Sequence, residues 1–411
     1  MNKDKIQEYL NHCSKCGGCQ AACPLYLETQ MEPLVARGKL FLMQNYLEGN
    51  LDLSPKMLDL MSLCLLCKSC TEQCPNSIPV DKLVLSMRQE IADQKGISFV
   101  KKNVFQHLLQ NNGRLTMAAK LAYLYQHSGL QWLIRKTNIL GLLGGDLSSK
   151  EKLLPSMAKT PFRRQVPKRL TNDNSRLRVG YFTGCLTNYI FEETGHAVLK
   201  VLKNHPVEVV LPEQWCCGVP ALASGDEQTA VQLAQKNIEA FQKAEVDVII
   251  TDCASCGSML LEYADLVGGK AAKAFADKSM DFSKLLTDVI DFNPGDKEVG
   301  MSVTYHDPCH LKRGQGVSDA PRKLIRSLPG VTFLEMKDSD RCCGSAGLFN
   351  ITHYDLAKKV GNTKAQNIID SAAQAVITEC PSCIMQMRHM LELEGASVQV
   401  LHLAELISKT Y

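Results

Sequence analysis

Apolar positions return every three or four residues through the first third of the chain, and beyond residue 178 they give way to short β-branched runs alternating with helical stretches. Ile6 to Leu10 predicts a short lead-in helix. Leu40, Phe41, Met43 and Tyr46 make the apolar side of an amphipathic helix opened by Arg37-Gly38-Lys39, and Met57 to Leu63 predicts another. Leu83, Val84, Met87 and Ile91 place one more at Val80 to Ile91, which closes a compact helical module near residue 92. From Ser98 to about Leu143 the helical spacing continues through Val100, Val104, Phe105, Leu108, Met117, Leu121, Leu124, Tyr125, Leu130, Leu133 and Ile134. Its basic residues, Lys101, Lys102, Arg114, Lys120, Arg135 and Lys136, suit an anionic membrane surface or an acidic partner. The plainer expectation is a helical bridge whose apolar stripe packs on neighbouring domains. Glu151 to Arg178, with Pro155, Pro161, Pro167 and eight Lys or Arg against Glu151 and Asp173, reads as a basic linker marking a domain boundary.

Beyond the linker the alternation of strand-like and helix-like runs is that of an α/β domain with a largely parallel sheet, and the pattern occurs twice. Val179-Gly-Tyr-Phe-Thr-Gly-Cys185 answers Val303-Thr-Tyr-His-Asp-Pro-Cys309, and Cys216-Cys217-Gly218 answers Cys342-Cys343-Gly344. Ile250-Thr-Asp-Cys-Ala-Ser-Cys256 matches Ile377-Thr-Glu-Cys-Pro-Ser-Cys383 at five of seven positions. The offsets are 124, 126 and 127 residues (Cys185 to Cys309, Cys216 to Cys342, Cys253 to Cys380), so insertions are small. Each copy ends with a strand running into a helix, Met280 to Leu286 and Val400 to Ile407. The expected fold is therefore α+β and multidomain: an all-helical module over 1–92, a helical bridge and basic linker over 93–178, and duplicated α/β cysteine-rich domains over 179–296 and 297–411.

The cysteines change the picture most. Cys13, Cys16, Cys19 and Cys23 precede Pro24, and Cys64, Cys67, Cys70 and Cys74 precede Pro75, so the module holds C-x-x-C-x-x-C-x-x-x-C-P twice. Three thiolates at that spacing wrap one face of an iron-sulfur cube, and the fourth completes the cube of the other copy. The expected sets are Cys13, Cys16, Cys19 and Cys74 for one 4Fe-4S cluster, and Cys64, Cys67, Cys70 and Cys23 for the other. Disulfides or zinc knuckles are the alternatives, and neither needs the third cysteine or the trailing proline.

Each α/β copy adds five cysteines: Cys185, Cys216, Cys217, Cys253 and Cys256 in the first, and Cys309, Cys342, Cys343, Cys380 and Cys383 in the second. Each Cys-x-x-Cys falls where a strand gives way to a helix, so its sulfurs meet a helix N-terminus that favours anionic sulfur. A metal cluster is expected at each, with zinc or a Cys-Cys disulfide as alternatives. His306 and His310 flank Cys309 and His353 follows the second Cys-Cys-Gly; each is either a proton donor or hydrogen-bonding group at a cluster or a packed histidine. Trp215 reads as a lid over Cys216.

Eighteen cysteines without an apolar signal segment behind Met1-Asn2-Lys3-Asp4-Lys5 point to a reducing compartment and metal ligation, hence a cytoplasmic protein. A net charge of +3 is too balanced to make nucleic acid the expected partner. No apolar run reaches the roughly 18 residues of a membrane span, so any membrane contact is expected at the inner face and peripheral, or through a partner. Gly141, Gly144 and Gly145 do not fit a dinucleotide fingerprint, Gly314 and Gly316 lack the third glycine, and there is no Walker pattern, so neither flavin nor nucleotide is expected on this chain.

The paired five-cysteine pattern around Cys-Cys-Gly resembles the cysteine-rich domains of heterodisulfide reductase, in which a full set carries a non-cubane 4Fe-4S cluster. A dicluster ferredoxin-like module fused to two such domains resembles the iron-sulfur subunit of glycolate oxidase and its lactate-oxidising and glycerol-3-phosphate-oxidising relatives. Arg37-Gly38-Lys39-Leu40, Tyr46-Leu47-Glu48-Gly49-Asn50 and Cys342-Cys343-Gly344-Ser345-Ala346-Gly347 stand where that resemblance requires them. Some glycolate oxidase subunits lack part of the first cysteine set, whereas Cys253 and Cys256 are both present here, which implies one or two non-cubane clusters besides the two cubes. The resemblance implies an electron-transfer subunit, inactive alone, which takes electrons from an FAD-containing lactate or glycolate dehydrogenase subunit and delivers them to a quinone or a further carrier subunit. The alternative it leaves open is a thiol-disulfide oxidoreductase of heterodisulfide reductase type, whose second Cys-Cys-Gly site splits a disulfide.

Overall fold

The computed structural model describes all residues except 1, 2, 138, 143–147, 149, 150, 152, 173 and 174, so Leu143, Gly144, Gly145 and Asp173 lie outside the described residues. Its first strand begins at Arg169; before it, the described residues form helices and loops. Helices Lys3–Asn11, Ala36–Leu47, Pro55–Ser62 and Val80–Lys95 enclose a small core of Leu10, Met43, Met57, Met61, Leu83 and Val84. Ser54 caps the third of these by accepting the Met57 N–H, and Pro55 takes the first helical position, where its missing N–H costs nothing.

The rest is built on two sheets. The first has five strands in the order β1-β3-β2-β4-β5, with β1 Arg169–Leu170, β2 Leu177–Phe182, β3 Val207–Val210, β4 Val248–Thr251 and β5 Ser279–Asp281. The second has four in the order β7-β6-β8-β9, with β6 Met301–Tyr305, β7 Val331–Phe333, β8 Ala375–Thr378 and β9 Gln399–His402. Apart from the antiparallel β1, every pairing is parallel. Parallel strands are covered on both faces, which is why β4 (Val-Ile-Ile-Thr) and β8 (Ala-Val-Ile-Thr) read as unbroken apolar runs. The strand order β3-β2-β4-β5 is reproduced by β7-β6-β8-β9, so the internal repeat in the sequence is a repeat of topology. In each sheet the first crossover steps one way from β2 or β6 and the later one steps the other way from β4 or β8. A crevice therefore opens beyond the C-terminal ends of those two central strands.

One core joins the copies. Val179, Tyr181 and Ile250 of the first sheet and Val303, Tyr305 and Ile377 of the second belong to the same buried cluster. Helix Glu192–Lys203 of the first copy packs on Leu403–Ser408 of the second, and reciprocally Asp319–Ser327 packs on Phe282–Lys284. A second crossing brings Ala254–Val267 against Cys309–Gln315. It is close because it is made of small residues: a Cβ on Gly257 would collide with Gln315, and one on Gly314 with Ser258. Gly314 thus has a packing role that a nucleotide-motif reading does not supply.

Two expectations are corrected. The segment read as a linker is in part a piece of the first α/β unit: β1 adds to β3, and Phe162 is fully buried, edge-on to Tyr181 and against Gly195, where no larger residue fits. Prolines and charges gave the segment a linker's composition, but one aromatic and two β residues tie it down. The bridge departs in the other direction. Phe105 and Leu109 are buried against the first copy, yet Val100, Met117, Leu121, Leu124, Leu130 and Leu133 remain exposed, so most of the stripe does not pack on neighbouring domains.

Phe162→Ala should lower the stability of the first α/β unit by about 3–5 kcal/mol, the usual cost of removing a buried phenyl ring. Denaturant unfolding followed by circular dichroism reads this as an earlier transition; an unchanged midpoint would mean that the segment is a linker after all.

Candidate metal centres

The two N-terminal motifs fold alike. Lys15 and Gly17 in the first, and Leu66 and Lys68 in the second, all have left-handed backbone, with φ of 56°, 82°, 52° and 61°. Three of the four are not glycine, at a cost of about 1–2 kcal/mol each. The unusual backbone turns amide hydrogens toward sulfur: Leu66 N–H lies 3.5 Å from Cys64 Sγ, Gly18 N–H donates to Cys16 and Ser69 N–H donates to Cys67. Such inward-facing amides form a cradle for an anionic group. Matched strain in two copies around cysteine sulfur fits an iron-sulfur cluster at each.

The fourth cysteine of the first motif lies with the second motif, and the loop of the second motif's fourth cysteine lies beside the first. Cys23 lines one cavity together with Cys64, Cys67 and Cys70, and burial pushes its thiol up to about 12. Two contacts bring the Cys74 loop to the first motif: Gln73 O lies beside Gly18, and Asn76 Nδ2 donates to His12 O. Lys39 is buried and Arg88 half-buried beside the second motif. Lys39 Nζ donates to Leu60 O, and Arg88 donates to the carbonyls of Met61, Ser62 and Cys64. Burial draws the Lys39 ammonium down to about 8. These cations offset the charge that four thiolates concentrate in a dry site.

In the α/β copies the ten sulfurs lie in the crevices at the C-terminal ends of the central strands. Cys185 follows β2 and Cys253 follows β4; Cys309 follows β6 and Cys380 follows β8. Cys253 and Cys380 are the N-caps of Ala254–Val267 and Pro381–Leu393, so Cys256 and Cys383 fall in the first helical turns. Gly218 and Gly344 have left-handed backbone, with φ of 98° and 88°; a Cβ on Gly344 would collide with Ala357 O and one on Gly218 would sit tightly against Ala230, and Gly344 N–H lies 3.5 Å from Cys342 Sγ. The Cys-Cys-Gly glycine is thus called for by its backbone, which also aims its N–H at the thiol.

Within each copy the thiols touch in the same order: Cys185 to Cys216 to Cys217 to Cys256 to Cys253, and Cys309 to Cys342 to Cys343 to Cys383 to Cys380. Hydrogen bonds from Cys216 and Cys342, then from Cys256 and Cys383, hold Cys217 and Cys343 well below the usual thiol range. Two further contacts join the sets. Cys253 meets Cys380 across the pseudo-twofold, where Ser255 Oγ also lies 3.6 Å from Cys380 Sγ, and Cys67 of the second N-terminal motif meets Cys342. A continuous run of sulfurs extends from Cys67 to Cys185, and none of the eighteen cysteines is in a disulfide.

The helical module is clamped across both copies: Lys68 pairs with Glu262 (2.8 Å), Arg313 with Glu72 (2.6 Å) and Arg341 with Glu28 (2.7 Å), while Arg88 donates to Ala223 O (2.8 Å). Of the three histidines near the cysteine motifs of the second copy, His310 donates to Leu66 O (3.2 Å) and His353 meets Ser62 Oγ (3.0 Å), so both tie the module to that copy. Only His306 faces a cysteine set, close to Cys343 and Cys383; burial pushes its imidazole down to about 3. Half-buried Trp215 flanks the apolar cluster containing Cys216, Cys217, Cys253 and Cys256, with Lys236 over its ring. Sequence reasoning missed the buried Lys39 and Lys364 and the half-buried Arg88: a lysine or arginine in an amphipathic helix gives no signal that its tip turns inward.

Residues 9–78 match a 4Fe-4S dicluster domain, 96–154 the linker region of the glycolate oxidase iron-sulfur subunit, and 179–261 and 303–388 a cysteine-rich domain. The probable glycolate oxidase iron-sulfur subunit of Bacillus subtilis is 34% identical over 422 residues, covering 98% of this chain and 95% of that protein. One subunit of the fumarate reductase (CoM/CoB) of Methanothermobacter marburgensis is 40% identical over 240 residues, 58% of this chain and 47% of its own length. A lactate utilization protein of an Exiguobacterium is 30% identical over 237 residues, 56% of this chain and 97% of its own. A putative Asp/Glu racemase from Yersinia pestis covers 57% of this chain and 96% of its own at 15% identity and a TM-score of 0.27, a likeness too slight to define the fold.

If the ligand sets are crossed, Cys74→Ala abolishes the paramagnetic signal of the cube on Cys13, Cys16 and Cys19, and Cys23→Ala that of the cube on Cys64, Cys67 and Cys70. Electron paramagnetic resonance of the reduced variants decides; a Cys74→Ala protein with the first signal intact would make the motifs self-contained.

Proposed function

The chain belongs to the family of glycolate oxidase iron-sulfur subunits, and from that membership we propose that it is the electron-transfer subunit of a flavin-dependent 2-hydroxy-acid dehydrogenase complex, acting on lactate or glycolate. The observation that supports this most is the continuous run of sulfurs from Cys67 through Cys342 and Cys380 to Cys185. Iron-sulfur clusters at these cysteine sets supply one-electron transfer, whereas oxidation of a 2-hydroxy acid to a 2-oxo acid releases two electrons and two protons, which calls for a flavin.

In this reading the 1–92 module is an all-helical dicluster ferredoxin. Cys13, Cys16, Cys19 and Cys74 hold one 4Fe-4S cube, and Cys64, Cys67, Cys70 and Cys23 the other. The 179–296 and 297–411 copies hold one or two non-cubane clusters on their five-cysteine sets. Inward-facing amides, helix N-termini and the inward-turned cations Lys39, Arg88 and Lys364 offset the thiolate charge, and an FAD-containing partner subunit supplies the electrons.

The exposed side of the 93–178 bridge supports a peripheral meeting with an anionic membrane, where a quinone acceptor would reside. No Asp or Glu occurs between Asp93 and Asp146, while Phe99, Met117, Leu121, Trp132 and Leu133 are exposed among Lys101, Lys102, Lys120, Arg135 and Lys136. Arg135 is paired with Glu151 (2.8 Å), and the lysines interleaved with these apolar groups are what lipid interfaces select. No helix among the described residues is long and apolar enough to cross a membrane.

A second reading, thiol-disulfide chemistry at the second Cys-Cys-Gly site, is favoured by the 40% identity to the fumarate reductase (CoM/CoB) relative.

Anaerobic visible absorbance separates the two. The purified chain should not bleach with lactate or glycolate, and adding the flavoprotein partner should make it bleach; bleaching by substrate with this chain alone would end the subunit reading, and bleaching by a thiol alone would favour the second. Co-sedimentation tests the bridge: binding to vesicles containing phosphatidylglycerol should fall severalfold in high salt and in a Leu121→Ser, Trp132→Ser variant. Unaltered sedimentation of that variant would place lipid contact elsewhere or nowhere.

A further inference from the structure

We propose that His306 is a sixth protein ligand of the second cysteine-rich site, so that the duplicated copies hold metal through different donor sets: sulfur alone in the first, sulfur and an imidazole nitrogen in the second. The inference rests on the iron-sulfur reading above and concerns which residues of this chain reach the metal.

One ligating atom each from His306, Cys343 and Cys383 lie within 4.8 Å of one another, and all three residues are buried. The tautomer follows from the other side of the ring. His306 Nδ1 is 3.1 Å from Ser339 O. A carbonyl oxygen only accepts, so Nδ1 carries the hydrogen and Nε2 keeps a bare lone pair. That Nε2 has no hydrogen-bond partner among the described residues. A buried acceptor left unmet is destabilising, and beside two thiols of a metal set the group that would meet it is the metal. The arrangement is that of metal-bound histidines, whose second nitrogen donates to a carbonyl or carboxylate that fixes the ring. Here the carbonyl is itself fixed, since Ser339 O also accepts from Asp307 N–H (3.0 Å) and from Lys364 Nζ (3.2 Å).

The first copy offers nothing comparable. Phe182 stands where His306 stands, at the end of the first central strand, and its ring packs on Phe241 with centroids 5.9 Å apart. The buried positions of Glu227–Lys243 and Tyr354–Asp370 superpose with Asn237 opposite Lys364, so the second site also gains a buried ammonium where the first has a neutral amide. A buried positive charge beside a cluster favours the reduced, more negative form. The second set should therefore be the more easily reduced of the two.

The test is pulsed electron paramagnetic resonance of the whole protein, on the signal assigned to the second set by its loss in Cys343→Ala. A nitrogen coupling of directly bound strength should appear, change pattern when histidine is labelled with 15N, vanish in His306→Phe and persist in His310→Ala. His306→Phe should keep its iron while losing the nitrogen coupling for that signal alone. The labelled wild-type protein is decisive even if His306→Phe misfolds, because iron in the second set without nitrogen coupling makes His306 a packed residue and overturns the proposal. If Cys343→Ala removes no iron and no signal, the cluster reading itself fails, and the ligand proposal with it.

Discussion

Everything in this molecule answers to the cost of burying anionic sulfur in a continuous seam. A thiolate taken out of water must be repaid by donors, by opposite charge or by a metal. Each device is found where the seam needs it. Left-handed residues in the N-terminal motifs aim amides at Cys16, Cys64 and Cys67; the Cys-Cys-Gly glycine serves Cys342; and helix N-termini face Cys256 and Cys383. Lys39, Arg88 and Lys364 contribute charge from within the protein.

The doubly wound topology explains how ten sulfurs from two distant stretches come together. Each sheet opens a crevice at the ends of its two central strands, and the crevices face one another because the copies share a core through Tyr181, Tyr305, Ile250 and Ile377. Small residues at the Gly257–Gly314 crossing let the helices approach until Cys253 touches Cys380. The helical module then lies across both copies on charged contacts and on the half-buried Arg88, and this sets Cys67 against Cys342. Its attachment is polar apart from a small apolar patch with Leu25, Leu34 and Leu65 on one side and Phe349 and Val360 on the other.

Duplication did not leave two equal halves. The backbone and the cysteine order repeat, while the residues around them diverge: Phe182 against His306, Trp215 against Arg341, Asn237 against Lys364. The second copy surrounds its sulfurs with cations and a histidine, and the first surrounds them with aromatics and an amide. The same scaffold thus gives neighbouring sites different electrostatics.

The amino-acid sequence by itself determined the cysteine sets, the repeat and the alternation of strands and helices, because each is written locally: thiol spacing, β-branched runs and a 3.6-residue period survive without tertiary context. It also pointed to the family through Cys-Cys-Gly and Arg37-Gly38-Lys39. It misplaced the edge of the first α/β unit, since a two-residue strand and a lone Phe162 inside a proline-rich basic segment carry no periodic signal. It left the bridge undecided, because an apolar stripe is the same whether a neighbour covers it or not. It could not separate His306 from His310 and His353, three histidines with similar local surroundings. Only the tertiary structure decided that two of them pin the helical module while the third lies with Cys343 and Cys383, because that depends on Ser339, Leu66 and Ser62, which meet these rings through folding rather than through adjacency in the chain.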